Sequence, residues 1–285
     1  MRLLSFSGGA TKAAALAAHA NMLRGYNPQI MGGVSAGALI MLPVAMNMHS
    51  TLKDITTNLS LSDIFDNSPI NRKGRLKLSA YIRAIRTGSF GSTKALYNTF
   101  RSVVSENEYY ELMEAQNTPE FYVGVTNATE NKLDVVYLNK LPYEEATHLI
   151  IASCTIPIYC PPVRMGNNFY YDGGVKAHNI ASELIRKYGT YLEEVKSVYT
   201  NQKGGGADYD WSFNGKFVDR NISKTFDLLQ KGVSIENQKT EVNLCNKYGI
   251  KLTQYFSPNV MESLYDVDNK RLLELYNKVI ESHAL

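Results

Sequence analysis

Ser35 has a glycine two residues to either side, in Gly33-Val34-Ser35-Ala36-Gly37. This is the G-x-S-x-G spacing of a nucleophile carried on a sharp turn. Its flanks fit that geometry: Gln29-Ile30-Met31-Gly32 reads as a short apolar strand, and Ala36 to Met48 is an apolar run of helical length. Small neighbours let the backbone fold tightly and leave the hydroxyl exposed at the top of a sheet. The helix that follows would aim its free N–H groups and positive dipole end at the reacting centre. Such surroundings suit a hydroxyl that attacks a carbonyl and leaves an oxyanion. The competing reading is a glycine-rich turn with an inert serine.

A nucleophilic serine needs a base, usually a histidine oriented by a carboxylate. The five histidines, His19, His49, His148, His178 and His283, sit in poor contexts. His19 lies within the first helical segment, His49 ends the helix after the serine turn, His148 falls in an apolar helix, and His283 is near the C-terminus. Only His178 is close to a suggestive loop. Asp172-Gly173-Gly174, which follows Phe169-Tyr170-Tyr171, is the better candidate. Two glycines permit a path that puts a carboxylate at the end of a strand. A free carboxylate, with a pKa of about 4, is a weak base, and burial would strengthen it. Taken alone, this aspartate would be a turn residue bonded to its own loop.

A third group is Ser7-Gly8-Gly9-Ala10-Thr11-Lys12-Ala13. Successive small residues at a helix start aim backbone N–H groups into one pocket. Neither G-x-x-x-x-G-K-[ST] nor G-x-G-x-x-G is present, so an oxyanion hole with Gly8, Gly9 and Ala10 as donors is preferred over a phosphate site.

The elements that must position these groups follow from periodicity. Leu3 to Ser7 is a strand and Thr11 to Arg24 an alanine-rich helix, so the chain opens strand–helix–strand–helix. That order implies a parallel sheet covered by helices, with its site at the carboxyl ends of the strands. The Gly8 and Ser35 turns both lie at such ends and can face each other. Phe121 to Thr126 and Leu133 to Leu138 read as a hairpin, Tyr143 to Ala152 and Val175 to Tyr188 as helices, and Val195 to Thr200 as a strand. Phe217 to Tyr248 reads as helix with one or two breaks. Asn269 to Ser282 is amphipathic, with Leu272, Leu275, Tyr276 and Val279 on one face. A single domain over residues 1–285 is expected, with a mostly helical basic insertion at about 50–118.

Composition narrows the partners. Hydrophobic residues make up 44% and charged residues 20%, as in ordinary globular proteins, and a net charge of +3 is too small to suggest nucleic acid. The three cysteines, an odd number without C-x-x-C spacing, read as free thiols in a reducing compartment. No H-E-x-x-H, EF-hand or Cys/His grouping appears, so neither metal nor cofactor is expected. The chain begins in a strand rather than a signal peptide, and the uncharged stretch after Ile30 is broken at Ser35, so a cytoplasmic location without a spanning helix is expected. Charge is uneven in one place. From Asn67 to Ser105 there is no acid but eight basic residues, and from Ser102 to Asn131 six glutamates and no base. One reading is a pair of solvated faces that attract each other. The other is a membrane-facing lid over Ser35, in which Arg72, Lys73, Arg75 and Lys77 meet anionic headgroups while Tyr81, Ile82, Ile85 and Phe90 dip into the interface.

Together these motifs resemble the patatin-like phospholipase family. The stretch from Leu4 to Ala13 is similar to the family's D-G-G-G-x-[KR]-G loop, and Gly33 to Gly37 matches its G-x-S-x-G elbow. Ala152-Ser-Cys-Thr-Ile-Pro157 through Cys160-Pro-Pro162 looks like its A-S-x-A-x-P…P-P segment, and Tyr171-Asp-Gly-Gly174 matches its D-G-[GA] motif. The resemblance runs to about Asn179. It implies an α/β three-layer fold, with a mostly parallel central sheet flanked by helices and the elbow between strand and helix. It also implies a metal-free Ser–Asp dyad acting on phospholipids or related lipid esters, with Ser35 the nucleophile and Asp172 the proton acceptor. Gly8 and Gly9 would be the oxyanion donors, supported by Lys12, Gly33, Gly37, Gly173 and Gly174. Three positions depart from the pattern: Ser7 replaces an acidic residue, and Ala10 and Ala13 replace glycines. An acyltransferase or thioesterase working through the same acyl-enzyme, or a lipid-binding module of the same fold, remains the alternative.

Overall fold

The computed structural model describes residues 1–69, 77–203, 217–258, 260 and 267–282, apart from the side chains of 217–231. Arg72, Lys73, Arg75 and His283 lie outside the described residues.

The parallel half of the sheet is built from β1 (Arg2–Phe6), β2 (Ile30–Val34), β3 (Glu120–Asn127), β7 (Glu194–Tyr199) and β8 (Lys251–Phe256). They run in the order 8-7-1-2-3, every neighbour parallel. The antiparallel strands β4 (Lys132–Tyr137), β5 (Val163–Met165) and β6 (Asn168–Asp172) complete an eight-stranded sheet. Alternation along the strands feeds two cores. Leu4, Phe6, Met31 and Val123 point to one face, and Leu3, Ile30, Val34 and Tyr122 to the other.

On the first face lie α1 (Ala13–Met22), α2 (Ala36–Ala45), α3 (His49–Thr57), α8 (Tyr143–Ala152) and α11 (Asn269–Glu281). α1 is apolar apart from His19 and Asn21, and residues 13–20 are all buried, as expected of a helix enclosed on every side. α11 buries Leu272, Leu275, Tyr276 and Val279, the face its periodicity predicts. The other face is covered by α9 (Ala181–Tyr188) and the end of α10 (Phe217–Tyr248). The result is three layers with a mostly parallel sheet, the fold class expected. Between α3 and β3 come α4 (Leu61–Ile64), α5 (Leu78–Thr87), α6 (Lys94–Val103) and α7 (Glu106–Glu114). Among the described residues, no helix is long and apolar enough to cross a membrane.

Several elements differ from expectation. Helix 175–188 is only α9, preceded by a 3-10 turn at Gly173–Val175, because Asn179 Oδ1 accepts from Ala181 N (3.0 Å) and starts the helix late. α10 is one unbroken helix. β5 and β8 are additional strands, and β2 extends through Gly33 to Val34, right up to the serine.

Candidate functional site

The register of the sheet brings two distant residues together. β2 pairs with the first half of β3, ending at Val34 opposite Gly124. β6 pairs with the second half of β3, beginning at Asp172 opposite Val125. β4 occupies the other edge of β3 along both stretches, so β2 and β6 share one edge and meet end to end. The residue after Val34 is Ser35, and the last residue of β6 is Asp172. Their meeting over one step of β3 is a consequence of strand pairing.

Ser35 has φ 53° and ψ −123°, a strained conformation for any residue with a side chain, and such strain clusters at functional sites. Gly33 and Gly37 make the turn sterically feasible. A Cβ on Gly33 would lie 2.6 Å from Gly37 O, and one on Gly37 would collide with Phe6 O. The conformation is held by a relay: Ser35 N donates to Ser153 Oγ (2.7 Å), whose hydroxyl donates to Gly124 O (2.7 Å). Asp172 is fixed from the same turn, its N–H donating to Thr155 O (2.9 Å) and its carbonyl accepting from Thr126 Oγ1 (2.8 Å). Ser153 and Thr155 are site residues that sequence reasoning did not single out. The signal was available, because a serine following a buried apolar helix must find partners for its hydroxyl.

The Asp172 side chain is 1% exposed. Oδ1 accepts from Gly174 N (2.6 Å), whereas Oδ2 is buried with no hydrogen bond closed to it. Burial pushes the carboxyl up to about 7, against the opposing pull of the neighbouring Ser35 hydroxyl and the Gly174 amide. Cys154 also lies beside Ser35, but burial and the charge of Asp172 hold its thiol well above the usual range, so it remains a poor nucleophile.

The Gly8–Ala10 turn faces the elbow: a Cβ on Gly8 would lie 3.3 Å from Ser35 Cβ. The expectation for Gly8 needs correction, because its N–H is committed to His178 O (2.9 Å) and is not a free donor. Its carbonyl accepts from Ser7 Oγ (2.9 Å) and from Thr200 Oγ1. Ser7 Oγ also accepts from Thr200 N (3.0 Å), so this serine ties the loop to the end of β7. Among the described residues the N–H groups of Gly9 and Ala10 have no acceptor, nor do those of Ala36 and Gly37 in the first turn of α2. Ala10 adopts φ 47°, so its peptide is held in a conformation that glycine would adopt more readily. Gly9 is needed because a Cβ there would run into Thr200. Lys12 is buried, with Nζ 3.5 Å from Thr200 O. Gly173 lies against Gly124 O, where a Cβ would collide.

Among the described histidines, His178 alone is close to this cluster. Its ring stacks on Tyr199, and Nε2 meets Asn201 Nδ2 at 3.3 Å. Burial and the Lys12 charge lower its pKa to about 3. His148 is exposed on α8 against Tyr97, rather than packed in a core, and His19 and His49 are buried elsewhere.

An apolar cavity opens beside Ser35 and is continuous with solvent. Ala10, Ser35 and Ala36 form one end. Leu39, Leu52, Phe65 and Phe100, from α2, α3, the end of α4 and α6, form much of the wall. α4 and α6 therefore supply part of the cavity's lining, while α5 lies outside it. Asp172 sits behind Ser35 and does not reach the wall.

The site thus joins an elbow serine, a buried carboxyl, free backbone amides and an apolar cavity on a three-layer α/β fold. A family model described as "Patatin-like phospholipase" matches residues 4–185. The chain belongs to this family of lipid hydrolases. Its fold is similar to that of VipD from Legionella pneumophila, at a TM-score of 0.50 and 14% identity, over 99% of this chain and 67% of that one. No curated protein matches the sequence.

Proposed function

We propose that the protein hydrolyses acyl esters of phospholipids or related lipids, met at a lipid surface, with Ser35 as nucleophile and Asp172 as general base. The observation that carries this reading is a strained elbow serine beside a buried carboxyl with an unbonded oxygen, at the end of an apolar cavity.

The acyl chain lies in the cavity and brings its ester carbonyl to Ser35. Oγ attacks the carbonyl carbon as its proton passes to Asp172 Oδ2. The carbonyl oxygen becomes an oxyanion within reach of the unbonded N–H groups of Gly9, Ala10 and Ala36. Such preorganised donors act on charge that exists only in the transition state. The intermediate collapses, the carbon–oxygen bond to the alcohol breaks, and the leaving oxygen takes the proton from Asp172. Water then attacks acyl-Ser35, gives a proton to Asp172, and collapse releases the fatty acid as Ser35 Oγ regains that proton. A carboxyl with a pKa of about 7 is matched to both duties near neutral pH.

The test is a fluorophosphonate probe followed by mapping of the labelled residue. Labelling at Ser35, and its loss in folded Ser35→Ala together with hydrolysis of a short-chain p-nitrophenyl ester, is expected. Labelling at another serine, or labelling that survives in Ser35→Ala, refutes the assignment.

A further inference from the structure

α5 is an amphipathic helix turned inside out. Its small residue Ala80 is buried and Ala84 is half-buried, whereas Leu78, Ile82 and Ile85 are 77%, 47% and 87% exposed. Spacings of four and three put those three on one stripe. The burial of Ala80 places that stripe on the side away from the protein. Such a stripe on a short surface helix has no role in the fold.

The helix is nonetheless firmly mounted. Arg83 reaches back and donates to Asn67 O (3.0 Å) and Phe90 O (2.9 Å). Tyr81 packs edge-on against Phe90, and Phe90 against Tyr159. The loop after α5 is tied to the segment that carries Ile156 and Cys160 of the cavity wall: Phe90 N donates to Ile158 O (3.0 Å) and Gly91 N to Tyr159 O (2.6 Å). Ile158 itself is 48% exposed and adopts φ 74°, an unusual conformation for a β-branched residue. A fourth exposed aliphatic side chain is therefore held where α5 joins the cavity wall.

The charge around the stripe has one sign. No acid occurs between Asn67 and Ser105. Lys77 and Arg86 are exposed at the helix ends. Among the described residues, Lys77, Arg83, Arg86 and Lys94 form no ion pair, and Arg101 pairs with Glu144 on α8 rather than with the glutamates of 106–130. The basic residues of α5 are thus not spent on the neighbouring acidic run. A second copy of the chain is a poor partner for this surface, because a two-fold contact would set the same basic patch against itself.

We propose that the outward face of α5, with Ile158, docks on an anionic lipid bilayer, its aliphatic stripe entering the acyl boundary while Lys77 and Arg86 meet the headgroups. This rests on the reading of the site as one that takes lipid esters, and it assigns the surface by which that site is brought to them. α5 acts as an anchor mounted on the cavity wall, not as a cover over Ser35.

The experiment is co-sedimentation with vesicles of phosphatidylcholine, with and without phosphatidylserine, at low and high salt. Wild type should bind the anionic vesicles more strongly, and less so as salt rises. Ile82→Ser with Ile85→Ser should lower partitioning about a hundredfold, the loss of two aliphatic side chains from an apolar phase. Lys77→Gln with Arg86→Gln should lower binding to the anionic vesicles by about tenfold or more and leave the neutral ones unaffected. Melting curves check that each variant is folded. A direct readout is Ile85→Trp in a Trp211→Phe background, whose emission should shift to the blue with vesicles and be quenched by brominated acyl chains. Unchanged partitioning of the serine variant, or emission from the introduced indole that ignores lipid, overturns the proposal. So does a lipid-free dimer that the serine variant dissociates without a change in vesicle binding. Soluble-ester hydrolysis by wild type reports on Ser35 separately: binding without hydrolysis refutes the catalytic reading alone, and hydrolysis without binding refutes the docking surface alone.

Discussion

Asp172→Asn should abolish activity and stabilise the fold, and the stabilisation should depend on pH in a way that identifies the buried carboxyl. The folded protein raises the Asp172 pKa from its ordinary 3.8 to about 7. The folded state therefore holds the proton more tightly than the unfolded chain. Linkage makes the contribution of Asp172 to wild-type stability fall as pH rises from about 4 to about 7 and level off above that. Integrating the shift at about 1.36 kcal/mol per pKa unit gives an ionisation cost of about 4 kcal/mol at pH 8 and less than half of that at pH 5. Asparagine carries no such cost. Asparagine keeps an amide oxygen that can accept from Gly174 N at either pH, so this contact cancels in the comparison. Glu241 and His178 are also buried, with pKa values of about 7 and about 3, but they titrate in both proteins and cancel as well. The advantage of the variant should thus grow by about 3 kcal/mol between pH 5 and pH 8, or roughly 5 °C in melting temperature. Thermal melts of both proteins at the two pH values measure this directly. In parallel, kcat/KM of wild type should fall tenfold per unit below about pH 7, as the base becomes protonated. Equal pH dependence of the two melting curves would mean that Asp172 is not a buried carboxyl that ionises near neutrality. A variant with wild-type turnover would remove it from the mechanism.

Ser153→Ala removes the acceptor of the strained Ser35 N–H. It should cost about 1 kcal/mol of stability and at least tenfold in kcat with little change in KM, as measured on a soluble ester. Ala10→Gly relieves a positive φ and should raise stability by up to about 1 kcal/mol, with labelling of Ser35 retained. Lengthening the acyl chain of a p-nitrophenyl ester should raise kcat/KM about fourfold per methylene, at about 0.8 kcal/mol each, until the cavity is filled. Leu39→Trp, which narrows the wall of that cavity, should end the series at a shorter chain.

The parts of this site that are legible in the sequence are those fixed by local chemistry. The Ser35 turn declares itself through two glycines between an apolar strand and an apolar helix. The hairpin of β3 and β4 and the buried face of α11 follow from periods of 2 and 3.6. What cannot be read depends on pairing across the chain. β5 is three residues long, and β8, Lys251–Phe256, alternates weakly at the edge of the sheet, so neither stands out against loop. The end-to-end meeting of β2 and β6 depends on which edge of β3 each occupies, and no local pattern encodes that. The sequence of α10 predicts a break, yet the helix runs unbroken past Gly232, where added side-chain bulk would meet nothing. The commitment of Gly8 N–H to His178 O is equally invisible, since a glycine-rich turn does not reveal which of its amides are already bonded.

In the proposed mechanism, the choice of base follows from how dry the site is. Burial disfavours charge, so it acts in opposite directions on the two kinds of side chain present. An imidazole gains a charge when it takes a proton, and at His178 burial, reinforced by Lys12, lowers its pKa to about 3. A carboxylate loses a charge when it takes a proton, and at Asp172 burial raises its pKa to about 7. The usual ranking of the two bases is reversed. A histidine at the position of Asp172 would share the same surroundings and be driven toward the weak basicity of His178. A carboxylate there becomes a stronger base as water is excluded. The same exclusion strengthens any hydrogen bond between an oxyanion and the amides of Gly9, Ala10 and Ala36. Under the proposed mechanism, a lipid acyl chain that fills the cavity would complete this drying, so substrate binding would reinforce both the base and the oxyanion donors.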